Sequence, residues 1–166
     1  VQSVSADTVS LIPSRQLEDD AMVNFRMTNG IVGRLWTSAC AIGRQHGLAI
    51  QVFGETGGLR WTQEQPNQLY YTPVGGRTTV IERGEADLSP EADKSSRVTI
   101  GHAEGMPLAF ANIYAELHSV ITEDSDKGQS AGTSLLPLAI DGAESIKAIY
   151  AVAKSGQANG EWVEIN

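Results

Sequence analysis

Val23-Asn24-Phe25-Arg26-Met27-Thr28-Asn29-Gly30-Ile31 decides how the chain is read. Val23, Phe25 and Met27 alternate with Asn24 and Arg26, the period of a strand with one buried face. Thr28-Asn29-Gly30 supplies a tight turn, because Asn and Gly tolerate positive φ. Residues 31–39 are then the returning strand. Working outward, Val4 to Val9 makes a further strand, and Leu48, Ile50 and Val52 define another. Gly54-Glu55-Thr56-Gly57-Gly58 turns the chain, and Leu59 to Gln63 pairs back. Leu69 to Thr72 and Thr78 to Glu82 form one more hairpin around Pro73-Val74-Gly75-Gly76. Sequential hairpins predict a mainly antiparallel sheet.

Residues 84–96 carry many charges, Pro90 and no periodicity, and predict an exposed loop. Met106, Phe110, Ile113, Tyr114, Leu117, Val120 and Ile121 recur at three and four, the buried stripe of an amphipathic helix with Pro107 in its first turn. That helix ends at residues 123–128, and residues 124–134 are a polar connector. Asp141, with Glu144 three residues on, caps a second helix. Its buried stripe is Ile146, Ile149, Tyr150 and Ala153, and Gly156 stops it. Residues 161–165 close the chain as a strand, with Trp162 packing on the helix pair. The product is an α+β domain spanning residues 1–166: a mainly antiparallel open sheet with helices packed on one face. Two helices cover one side only. Trp36, Phe53, Trp61, Tyr70 and Tyr71 lie on strands, so part of this aromatic surface falls on the open side or all of it points into the core.

Composition narrows the function. With 166 residues, 41% hydrophobic and 19% charged, the chain suits one globular domain. Twelve Lys and Arg against 20 Asp and Glu give a net charge of −8, which repels phosphate backbones and anionic membranes, so neither a nucleic acid nor a membrane is an expected partner. No run of about 18 apolar residues predicts a membrane span. Cys40 is the single cysteine, which rules out an internal disulfide, favours a cytoplasmic home and reads as a buried structural thiol. His46, His102 and His118 lack metal-ligand spacing, and His118 reads as structural. No Gly-x-Gly-x-x-Gly after a strand, phosphate-binding loop or Gly-x-Ser-x-Gly elbow is present, so no catalytic, cofactor-binding or metal-binding residue is expected.

Two loops carry candidate chemistry. Gly43-Arg44-Gln45-His46-Gly47 gathers hydrogen-bonding groups between glycines. Arg44 and His46 there suit hydroxyls or a carboxylate, or else form a solvated turn. Gly101-His102-Ala103-Glu104-Gly105 precedes the first helix. His102 and Glu104 either orient a polyol beside the helix N-terminus, or Glu104 merely complements the helix dipole while His102 is exposed.

Several of these stretches, taken in order, carry a family likeness. Asp19-Asp20-Ala21-Met22-Val23-Asn24-Phe25-Arg26, Asn29-Gly30 and Ser38-Ala39-Cys40-Ala41-Ile42-Gly43 resemble the C-terminal domain of the Gfo/Idh/MocA oxidoreductases. So do residues 48–59, Gly101-His102-Ala103-Glu104-Gly105 with Ala109-Phe110-Ala111-Asn112-Ile113-Tyr114, Asp141-Gly142-Ala143, and Gly160-Glu161-Trp162-Val163. The resemblance implies a parent enzyme transferring hydride between a sugar or polyol and NAD or NADP. It implies a substrate-binding sheet that also forms a homo-oligomer, with His102, Glu104, Arg44 and His46 near the substrate. The family's Glu-Lys-Pro lysine and Asp…His pair match no residue here. The chain, starting within a strand at Val1, is thus expected to be a C-terminal domain without its dinucleotide-binding domain, binding no cofactor and turning nothing over alone. The alternative is a stand-alone, non-catalytic carbohydrate-binding or dimerisation module.

Overall fold

A computed structural model describes residues 1–122 and 136–165. Its strands are β1 (Ser3–Val9), β2 (Asp20–Arg26), β3 (Val32–Ser38), β4 (Ala49–Phe53), β5 (Gly57–Thr62), β6 (Gln68–Pro73), β7 (Thr79–Glu82) and β8 (Val163–Glu164). Its helices are α1 (Pro90–Ser95), α2 (Met106–Thr122) and α3 (Ala139–Gln157). The expected α+β, antiparallel fold is present. The strands form two four-stranded sheets, ordered β3-β2-β1-β8 and β4-β5-β6-β7, rather than one. The chain divides into two compact units, residues 1–43 with 137–166, and residues 44–136. The predicted end of α2 at residues 123–128 and the connector at 124–134 lie outside the described residues.

In the first unit, the Asn29-Gly30 turn works as its sequence dictates: Gly30 takes φ +84° and β2 pairs with β3 from Asp20↔Ser38 to Arg26↔Val32. One sheet face carries Val4, Ala6, Val23 and Phe25, and α3 lies on it. The residues of α3 that face it are small: Ala151, Val152, Ser155 and Gly156. They let the helix approach so closely that a Cβ on Gly156 would sit 2.1 Å from Thr8 Oγ1. This corrects the expected stripe. Ile146, Ile149 and Tyr150 point away from the sheet, Ile149 being 62% exposed. Gly156 does not stop the helix; the chain leaves it through Ala158, Asn159 (φ +54°) and Gly160 (φ +82°). Asp141 is not the cap residue but lies inside the first turn, where its carboxylate accepts the Leu138 N–H at 2.6 Å.

Ser155 completes the sheet edge. β8 pairs with β1 only at Ser3 and Val4. Beyond it, the Ala6 N–H donates to Ser155 Oγ at 2.8 Å, and that hydroxyl donates to the Glu161 carbonyl at 2.6 Å. The Arg26 guanidinium stacks 3.9 Å from the ring centre of Trp162. Cys40 is half-buried near Arg15 and Asp19. Burial first, then the Asp19 carboxylate, pushes its thiol upward, which makes it a poor nucleophile and fits a structural role.

In the second unit the registers put Ile50, Trp61, Leu69 and Ile81 on one face with Val52, Leu59 and Tyr71. Ile50 and Val52 are each 55% exposed. Phe53 and Tyr70 lie on the opposite face, so the strand aromatics divide between the two. The charged stretch before α2 is not wholly irregular: Ser89 caps α1, its hydroxyl accepting the Ala92 N–H at 3.3 Å, and Pro90 starts the helix. The polar side of α2 turns toward α1, through Lys94–Glu116 at 2.9 Å and the Asn112 amide on the Ser95 carbonyl at 2.7 Å. The apolar stripe of α2, expected to be buried, is exposed from Met106 to Ile121, as is His118.

Candidate functional site

All four predicted site residues belong to the second unit. The start of β4, the end of β5, the start of β6 and the end of β7 lie at one end of its sheet, since Ala49 pairs with Thr62, Trp61 with Leu69, and Gln68 with Glu82. The loop holding Arg44 and His46 enters β4 at this end. The loop holding His102 and Glu104 follows from β7 at the same end, but at the other edge of the sheet. Three strand spacings separate those edges, about 14 Å.

The β5–β6 turn fills the interval. Its Glu64 accepts the Gly47 N–H at 2.8 Å, and its Asn67 carbonyl accepts the Arg83 N–H at 2.8 Å. The Gly47 N–H, foremost, and then Glu64's own backbone N–H hold the Glu64 carboxyl below its ordinary range, and the nearby His46 and Arg44 lower it further. Gly43 (φ +93°) and Gly47 (φ +74°) give the Arg44 loop the left-handed backbone it needs. Arg44 and His46 are exposed.

Glu104 is not presented to solvent as a free acceptor. Its Oε1 accepts the Arg97 and Val98 N–H groups, the latter at 2.7 Å, and meets Arg83 Nη1 at 3.1 Å. Arg83 also donates to the Val98 carbonyl at 2.8 Å and to the His102 carbonyl at 2.7 Å. His102 itself is exposed, with Nδ1 3.3 Å from the Thr99 carbonyl. Arg83 and Glu64 escaped sequence reasoning. The signal for Arg83 was its position immediately after β7, where a strand end faces the predicted loop; Glu64 had only its place in a turn. A groove on the same sheet, lined by Phe53, Gly58, Arg60, Tyr70, Thr72 and Val74, includes none of the four predicted residues. Among the described residues no group of three His, Cys, Asp or Glu side chains is arranged to hold a metal. No helix among them is long and apolar enough to cross a membrane.

Residues 1–60 match the family model described as the GFO/IDH/MocA C-terminal domain. The chain carries a Gfo/Idh/MocA C-terminal domain. The matched stretch runs from β1 through most of β5 and so includes Arg44 and His46. Similarity to solved structures continues through the rest. An oxidoreductase from Sinorhizobium meliloti is 37% identical with a TM-score of 0.88, over 98% of this chain and 46% of that one. An inositol dehydrogenase homolog from Azotobacter vinelandii, solved with NADH and myo-inositol, is 31% identical with a TM-score of 0.91, over 98% of this chain and 44% of that one. Among curated proteins, the uncharacterized oxidoreductase YfiI of Bacillus subtilis (strain 168) is 30% identical across 99% of this chain and 42% of YfiI. The chain therefore spans less than half the length of these relatives.

Proposed function

We propose that this chain is the substrate-binding and oligomerisation part of an NAD(P)-dependent oxidoreductase that transfers hydride to or from a sugar or polyol carbon. The observation that carries the reading is the gathering of both candidate loops at one end of the second sheet, in a backbone similar throughout to a homolog solved with NADH and myo-inositol. In this reading Arg44 donates hydrogen bonds to vicinal hydroxyls, His46 and His102 donate or accept them, and Glu104 serves through the loop that carries His102.

The nicotinamide is a poor fit to the described residues. A dinucleotide pyrophosphate is held where a parallel strand feeds a helix through a glycine-rich turn. The described strands pair antiparallel, and residues 83–89, which lead from β7 to α1, hold Gly84 alone. We accordingly assign NAD or NADP to a separate dinucleotide-binding domain of the parent, and expect this chain alone to be inactive. The open apolar face around Ile50 and Val52 supports self-association through the second sheet.

The test uses the full-length parent, a panel of polyols deuterated at the carbinol carbons, and NAD or NADP. Deuterium appearing at C4 of the reduced nicotinamide, with a dimer or larger species by sedimentation, is the expected result. Absence of label transfer across the panel would refute the assignment of the reaction, and a monomer at high concentration would refute the interface.

A further inference from the structure

We infer that the Arg83–Glu104 pair is a positioning device: it sets the conformation of residues 97–105 and thereby the direction in which His102 is presented. The inference rests on the reading above only for what His102 is presented to.

The geometry is a polar node in which Arg83 Nη1 and Nη2 are satisfied while the buried Nε has no partner among the described residues. Arg83 stands at the root of the loop, anchored to the sheet end by its N–H on the Asn67 carbonyl. Its guanidinium reaches three acceptors: the Val98 carbonyl, the His102 carbonyl and Glu104 Oε1. Glu104 in turn holds the amides of Arg97 and Val98. One ion pair thus fixes the backbone on both sides of the turn at Thr99–His102, where the His102 N–H meets the Thr99 carbonyl at 3.2 Å and Gly101 takes φ +85°. The side chains of Arg83 and Glu104 are only 15% and 10% exposed, so water competes weakly for these bonds. Arg is required rather than Lys, because a fork of donors serves three acceptors whereas an ammonium presents a point charge on a flexible stem. The node faces α2 through Arg97, whose Nε donates to Asn112, so the loop is tied to the helix it precedes.

The test compares wild type with Arg83→Met, Arg83→Lys, Glu104→Gln and the Met/Gln double variant in the full-length parent. Amide hydrogen exchange is followed at residues 97–105, with the β5 amides as the control for folding of the unit. Each single variant is expected to speed exchange at Val98 and His102 by about tenfold or more while leaving β5 unchanged. The double variant should be no worse than the worse single, and Arg83→Lys should fall between Met and wild type. Unchanged exchange at 97–105 in Arg83→Met, or equal acceleration in β5, overturns the inference; if the Met variant fails to fold, the same comparison is made on Arg83→Lys. KM for the polyol distinguishes the two proposals. If His102→Ala leaves KM unchanged while the loop still loosens in Arg83→Met, the substrate reading fails and the positioning role stands.

Discussion

Replacing Ser155 by Ala removes one hydroxyl that is fully buried at the join of α3 and β1. The Ala6 N–H, in a residue only 2% exposed, then has no acceptor in place, and the Glu161 carbonyl loses its donor. A buried orphaned amide costs about 1–3 kcal/mol. Glu161 is exposed, so water replaces the lost donor there at little cost. The expected loss is therefore about 2 kcal/mol, almost all of it from Ala6. Hydrogen exchange at the Ala6 amide reads it directly and avoids assuming that both units unfold together. A loss of that size speeds exchange at Ala6 by about 30-fold. Ser5→Ala is the control, since its Oγ–Gly160 bond of 2.7 Å is only partly buried; it should cost less than about 1 kcal/mol. If Ser155→Ala left Ala6 as protected as in wild type, the account of how β1 is completed where β8 ends would be wrong.

Gly156→Ala should destabilise the first unit by about 1–3 kcal/mol despite the better helix propensity of Ala, because its Cβ collides with Thr8; Thr8→Ala should recover most of the loss in a thermal melt of the double variant. Asp19 is held below its ordinary value of 3.8, first by the Leu11 N–H and further by that of Ile12. Its stabilisation is complete above that ordinary value and disappears as pH falls through the depressed folded one, so Asp19→Asn should flatten the acid limb of the urea midpoint against pH; parallel limbs would contradict this.

The antiparallel strands were legible because period-2 alternation and glycine turns are local signals, and Val23 to Ile31 carried both. The division into two sheets was not, because strand order depends on which hairpins meet beyond their own turns. The two long helices, α2 and α3, were found while α1 was read as loop, and the inward faces of the long pair were misjudged in the same way. Ile146, Ile149 and Tyr150 look like core, yet Ala151, Ser155 and Gly156 make the contact, because closeness to β1 favours small side chains. The large apolar residues remain outside as exposed surface. At the site, glycines and unusual polar density marked Arg44, His46, His102 and Glu104. Arg83 carried only the faint signal of its place after β7, because its role arises from three loop contacts 15 to 21 residues away in sequence.

The central claim is that the two loops at the end of the second sheet hold the polyol while another domain holds the nicotinamide. The most direct measurement is steady-state kinetics of the full-length parent against its Arg44→Ala/His46→Ala/His102→Ala variant, with the dissociation constant for the nicotinamide determined in parallel. The account predicts that KM for the polyol rises by about tenfold or more, as expected for losing several substrate hydrogen bonds, while nicotinamide binding is unchanged. An unchanged KM, or a loss confined to nicotinamide affinity, would contradict it.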